Sequence, residues 1–218
     1  MDLTPRPLEG PTIRLEPLRP DHLDGLCEAG LDPELWRLTV SQIRTRTDME
    51  RYVEEAFADQ RAGSALPFAT VWRETGRVIG STRFGNASPP NRRVEIGWTW
   101  LARPWQRTGA NTEAKYLMLR HAFEHWRCIR VELKPSALNQ RSRAAILRIG
   151  AREEGILRHH MINQDGSLRD SVYFSLLADE WPEARRRLEA MLAAHGVQLG
   201  LDHRSVRGSR GMGGTPNG

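Results

Sequence analysis

The sequence predicts a mixed α+β domain, a single sheet covered on its faces by helices. Hydrophobic periodicity switches repeatedly between two and about 3.6 residues, giving the order β-α-α-β-β-β-α-β-α-β-β-α. Tight-turn residues separate strand pairs, as at Thr75-Gly76 and at Gln164-Asp165-Gly166-Ser167. The 218 residues, 39% hydrophobic, suit one domain, which at this size buries about 70% of its unfolded surface without a metal or disulfide staple.

In residues 12–18, Ile13 and Leu15 alternate with Arg14 and Glu16, which predicts a strand. Asp21 to Ala29 reads as a short helix with Leu23, Leu26 and Cys27 on one face. Thr47 to Glu50 has the form of a capping box, and Met49, Tyr52, Val53, Ala56 and Phe57 follow at helical spacing up to Gly63. Strands are expected over 67–74 and 77–84. In 94–101 the alternation puts Val94, Ile96, Trp98 and Trp100 on one face and Glu95, Gly97, Thr99 and Leu101 on the other. A helix from Asn111 to about Trp126 carries Ala114, Leu117, Met118 and Ala122. A strand over 128–134 and a helix from Asn139 to Ile149, closed by Gly150, come next. A hairpin spans 154–177. The last helix starts at Asp179, with Pro182 in its first turn. A single domain over 1–200 and a Gly/Arg-rich tail over 201–218, without apolar period, complete the expected organisation.

Net charge is +5, and 30 of the 32 basic residues are arginine, since Lys115 and Lys134 are the only lysines. Arginine suits phosphate-bearing ligands through bidentate contacts, but a charge this small does not make a nucleic-acid binder. Cys27 and Cys128 lack metal or redox spacing, and no secretory segment follows Met1. Two reduced thiols in a cytoplasmic protein are therefore expected. No apolar run approaches the roughly 18–20 residues of a membrane helix.

Chemistry concentrates in residues 100–124. A strand ends at Leu101, and Gln106-Arg107-Thr108-Gly109-Ala110-Asn111 leads into a helix. Such a loop presents several N–H groups without intrahelical partners at the positive end of the helix dipole, which makes an anion seat. Gly109 permits close backbone approach or positive φ. By shape alone an ordinary strand-to-helix turn fits equally well. The loop is neither a Walker P-loop nor a G-x-G-x-x-G fingerprint, so ATP and NAD lose support.

This segment resembles the pyrophosphate-binding signature of the GNAT N-acetyltransferase superfamily, a Gln/Arg-x-x-Gly-x-Gly/Ala loop. Gln106, Arg107, Thr108, Gly109 and Ala110 match, whereas Asn111 stands where the family usually has Gly or Ala. Thr112-Glu113-Ala114 resembles the RimJ/RimL-like branch, and so does residues 139–158, through Asn139, Ser142, Gly150 and Gly155. The resemblance spans residues 12 to about 195. It implies a central, mixed, mostly antiparallel twisted sheet. It also implies direct acetyl transfer from acetyl-CoA to a primary amine (a protein N-terminus, a peptide or a small amine) without a metal.

The resemblance further implies contacts to acetyl-CoA from Trp100, Leu101, residues 106–111, Thr112 and Asn139. A backbone N–H of the strand would polarise the thioester carbonyl. The acceptor amine needs a base, and Glu95 is the candidate. Ser142 matches the branch's serine and could protonate the leaving thiolate, or as a first-turn helix residue make only a local hydrogen bond. Asn139 can cap its helix and bind CoA as well. The acceptor groove is expected from residues 21–63 and 155–177, with a homodimer through an exposed sheet edge. The rival is a non-catalytic acyl-CoA-binding or ribosome/RNA-associated module of the same fold.

Three other signals weigh less. His121-Ala122-Phe123-Glu124-His125 matches H-x-x-E-H, but nothing downstream clearly supplies a third zinc ligand. Tyr173 and the pair His159-His160 read as strand residues. Trp98 and Trp100 read as core residues, whereas Trp36, Trp72 and Trp105 lie nearer loops or edges, where they could shape a ligand cleft.

Overall fold

A computed structural model describes residues 1–199, and the expected tail lies outside the described residues. Eight strands, β1 (Leu8–Glu9), β2 (Ile13–Pro17), β3 (Leu66–Trp72), β4 (Arg77–Ser88), β5 (Arg93–Leu101), β6 (Arg130–Leu133), β7 (Arg152–Ile162) and β8 (Leu168–Leu177), form one sheet. Their spatial order is β1-β2-β3-β4-β5-β6-β8-β7. Neighbours run antiparallel except β5 and β6, which are parallel and are connected through α3 (Ala110–Arg120), as a parallel pair requires a crossover. This is the mixed, mostly antiparallel α+β fold the sequence predicts.

Alternation along the strands divides the core in two. Ile13, Leu15, Phe68, Phe84, Val94 and Ile96 pack under α3 and α5 (Trp181–Ala194), with Leu117, Leu188 and Leu192. On the opposite face Ala69, Val71 and Trp100 meet α1 (Leu23–Gly30) and α2 (Arg46–Arg61) through Leu26, Met49, Tyr52 and Val53. The helix after β6, α4 (Gln140–Arg148), buries Ile146 in the first core. Trp36 belongs to the second core, its Nε1–H donating to Gly30 O at 2.7 Å, and so does not line a cleft.

Some boundaries move for local reasons. The capping box of α2 is Thr45 with Asp48, because Asp48 Oδ2 accepts the Thr45 N–H at 2.9 Å, while Glu50 turns to Arg46. α3 ends at Arg120 and widens into a π-type turn, His121–His125, which seats Trp126 with its Nε1–H on Asp2 O at 2.7 Å. α5 starts at Trp181, since Glu180 accepts the Leu177 N–H at 2.9 Å and closes the preceding turn.

The departure that shapes the site is in β5. Ser81 faces Trp100 but Arg83 faces Gly97, so two steps on β4 meet three on β5, and Trp98 takes φ 49°. That one-residue bulge inverts the facing of everything after it. Leu101 therefore joins Val94 and Ile96 in the first core, while Trp100 enters the second. The two four-residue faces expected from simple alternation do not persist past Gly97. Trp98, expected in the core, is 37% exposed, its ring lying 4.8 Å from the Arg83 guanidinium.

Candidate active site

β5 and β6 pair at three positions only, Arg93, Val94 and Glu95 with Arg130, Val131 and Glu132. Beyond Glu95 the two strands part and leave a cleft. The loop to α3 starts from the open end of β5 and α4 follows β6, so the walls of the cleft are the segments singled out in the sequence.

Gln106 ties these walls together. Its Nε2–H donates to Leu101 O at 2.8 Å, and its Oε1 accepts from Arg141 Nη2 on the first turn of α4 at 2.8 Å. Thr108 Oγ1–H donates to Trp105 O at 2.8 Å and accepts the Ala110 N–H at 3.2 Å. The left-handed residue of the loop is Arg107, with φ 63°. Gly109 is helical at φ −67°, which excludes the positive φ and leaves the close approach: an added Cβ would stand 3.2 Å from Val197 Cγ2. The first-turn N–H groups of Asn111 and Thr112 lack intrahelical acceptors. Asn111 Oδ1 is buried with no hydrogen-bond partner among the described residues. Backbone donors, Arg107 and an orphaned amide oxygen fit a phosphate-and-amide ligand such as CoA.

The side chains of Trp100 and Leu101, expected to contact the ligand, are instead buried in the two cores, both residues pair with β4, and the Leu101 carbonyl is taken by Gln106. Asn139 Oδ1 caps α4 by accepting the Ser142 N–H at 3.0 Å, and Ser142 stands on the helical turn that Arg141 joins to Gln106. Thr112 is buried in α3.

Glu95 lies where the strands part, on the face opposite α3. Its Oε2 accepts from Asn86 Nδ2 at 2.7 Å and pairs with Lys134 Nζ at 3.1 Å. Its Oε1 leans over Gly97, where an added Cβ would come within 2.9 Å. Lys134 Nζ also stands 5.6 Å from the centre of the Tyr173 ring, against which His160 packs edge-on at 5.6 Å. Burial, with Lys134 and Arg169 nearby, holds the His160 pKa below its usual range. Sequence reasoning missed Asn86 and Lys134. The one signal available for Lys134 was its rarity, a lysine where almost every other cation is arginine.

The segment between α1 and α2 is tied to the β7–β8 turn. Gln164 donates its N–H to Val40 O at 3.0 Å, and its Oε1 accepts the Gln42 N–H at 2.6 Å. The two segments expected to build an acceptor groove are thus fastened to each other. The H-x-x-E-H residues serve packing: Glu124 Oε1 accepts from Trp181 Nε1 at 2.9 Å and Arg185 Nη1 at 3.1 Å. His121 lies against Phe84 and Trp126, and burial pushes its pKa down to about 4. Among the described residues no helix is long and apolar enough to cross a membrane.

A family model described as "Acetyltransferase (GNAT) domain" matches residues 12–152. A Bacillus subtilis (strain 168) protein named "Putative ribosomal N-acetyltransferase YdaF" is 36% identical over 106 residues, 49% of this chain and 57% of that protein. The chain thus spans little more than half the length of the curated relatives it matches. A GCN5-related N-acetyltransferase from Brucella melitensis superposes with TM-score 0.80 at 30% identity, covering 89% of this chain and 90% of that one. Mycobacterium smegmatis RimJ, solved with CoA-disulfide, superposes with TM-score 0.70 at 26% identity over 88% of this chain and 94% of its own.

Proposed function

The chain belongs to the GNAT acetyltransferase family, and from that premise we propose that it transfers acetyl directly from acetyl-CoA to a primary amine. One observation carries this: the donor-rich loop at 106–112 and the Glu95 carboxylate stand at opposite ends of the stretch of β5 that no longer pairs with β6. The six residue steps from Glu95 to Leu101 span about 20 Å of strand.

Acetyl-CoA, when bound, supplies the activated acyl thioester. The N–H groups of the loop and Arg107 hold its phosphates, and Asn139 and Asn111 are placed for its amides. Glu95 takes the proton of the acceptor amine, directly or through one water, with Lys134 and Asn86 fixing the carboxylate. Ser142 gives a proton to the departing sulfur. The acceptor we favour is the amine at a protein N-terminus. The name of the similar B. subtilis protein, "Putative ribosomal N-acetyltransferase YdaF", supports a ribosomal acceptor, and the resemblance to the RimJ/RimL-like branch supports the N-terminal amine. So does the fastening of Val40 and Gln42 to Gln164, which favours the end of a flexible chain over a broad folded surface.

Calorimetric titration of the purified chain with acetyl-CoA, beside ATP and NAD, tests the donor. One-to-one binding of acetyl-CoA alone, in the micromolar range, is expected. Absence of that binding overturns the reading. In the same titration Gln106→Ala is expected to weaken acetyl-CoA binding roughly tenfold, about 1.4 kcal/mol, because it frees the loop from both walls. An unchanged affinity would remove Gln106 from the binding site.

A further inference from the structure

The chain's two lysines flank β5, one on each face. Lys134 is neutralised by Glu95. Lys115, on α3, is buried with its Nζ donating to Thr99 Oγ1 at 2.8 Å, and among the described residues no carboxylate comes within ion-pair distance of it. The charged groups on the surrounding elements are engaged elsewhere. Glu113 of the same helix turns to Thr12 and Ile13, and Arg120 lies over the Tyr116 ring. Arg185 and Glu189 of α5 pair with each other. Arg14 and Glu16 pair on β2, beside His22. Arg83 of β4 pairs with Asp59 of α2, and Arg130 with Glu132 on β6. Burial without a counter-charge brings the Lys115 pKa down from 10.5 to about 7.

Thr99 is the second residue after Gly97 in the bulge of β5. Its Oγ1 lies 2.7 Å from Thr82 Oγ1 and 3.3 Å from Gly97 O. A hydroxyl donates once and accepts twice, whereas an ammonium only donates. With Lys115 charged, its ammonium fills one acceptor position of Thr99; when Thr82 donates to the other, rather than to Met118 Sδ at 3.4 Å, the Thr99 hydrogen goes to the Gly97 carbonyl. A neutral amine can take that hydrogen instead. The Gly97 carbonyl shares a peptide plane with the N–H of Trp98, the bulge residue, and a hydrogen bond to the carbonyl makes that N–H a stronger donor.

We propose that Lys115 is a positioning residue for acyl transfer, acting through Thr99 to fix and polarise the Gly97–Trp98 peptide as the hydrogen-bond donor to the thioester carbonyl. This rests on the acetyl-CoA reading above. An arginine, which never deprotonates in this range, could not switch in this way. Lysine can, and it stands here in a chain that otherwise uses arginine.

The test is the affinity of the full chain for acetyl-CoA relative to S-ethyl-CoA, a thioether lacking the carbonyl. It is measured at about pH 6 and about pH 8.5 for wild type, Lys115→Met and Thr99→Val. Lys115 is charged below its pKa, so the wild type is expected to prefer acetyl-CoA roughly fivefold at the lower pH and to lose that preference at the higher. Both variants are expected to show a ratio near one at both pH values, with S-ethyl-CoA affinity unchanged. Loss of packing alone would weaken both ligands together and overturn the proposal, as would a Lys115→Met ratio that still follows pH. Failure of the wild type to bind either ligand overturns the acetyl-CoA reading and the proposal with it.

Discussion

Glu95→Gln is expected to lower kcat by ~10²–10⁴-fold while changing acetyl-CoA affinity by less than about twofold. The amide keeps the shape of the carboxylate and can still accept from Asn86, but it cannot take a proton from an amine. Loss of the charge also strands Lys134, whose side chain is 13% exposed against 6% for Glu95. Breaking so covered a pair costs stability, about 3 kcal/mol, so thiol release is to be assayed well below the variant's melting temperature. Turnover equal to wild type would remove Glu95 as the base. A wild-type chain that binds acetyl-CoA but turns over no amine would favour the non-catalytic acyl-CoA-binding alternative.

The largest loss of stability is expected from Glu113→Ala. Glu113 is fully buried at the start of α3, where it accepts the N–H of Thr12 at 3.0 Å and of Ile13 at 3.1 Å, together with the Thr12 hydroxyl. The variant removes three hydrogen bonds to a charged acceptor and leaves two backbone donors unpaired at the entry to β2. At about 1–3 kcal/mol for each group so stranded, the chain is expected to lose about 4 kcal/mol. Urea unfolding measures this as a lower midpoint with an unchanged slope. A shift below about 1 kcal/mol would mean that water replaces the carboxylate. Gly10 belongs to the same joint, since any side chain there would run into the Glu113 carboxylate.

Periodicity made the element order legible from β2 onward, whereas the two-residue β1 is too short to show a period; the loop at 106–111 stood out because a strand, a proline-bearing loop and a helix follow within a few residues. What was hidden depends on contacts between distant segments. Nothing in 94–101 announces the bulge, because hydrophobic residues continue to alternate through it and only pairing with Ser81 and Arg83 reveals the extra residue. Glu95 could be named as a candidate, but its partners Asn86 and Lys134 come from other strands. Glu113 has the look of an ordinary first-turn acid until β2 is laid beside it.

The three residue pairs that join β5 to β6 have a mechanical meaning. They form a short seam between a five-stranded panel, β1 to β5, and a three-stranded one, β6, β8 and β7. A molecule lying in the cleft below that seam bridges the two panels where backbone pairing is missing. Its binding energy is then also cohesion of the protein, growing with the logarithm of ligand concentration above Kd. How firmly the two panels hold together is therefore set partly by the supply of the ligand.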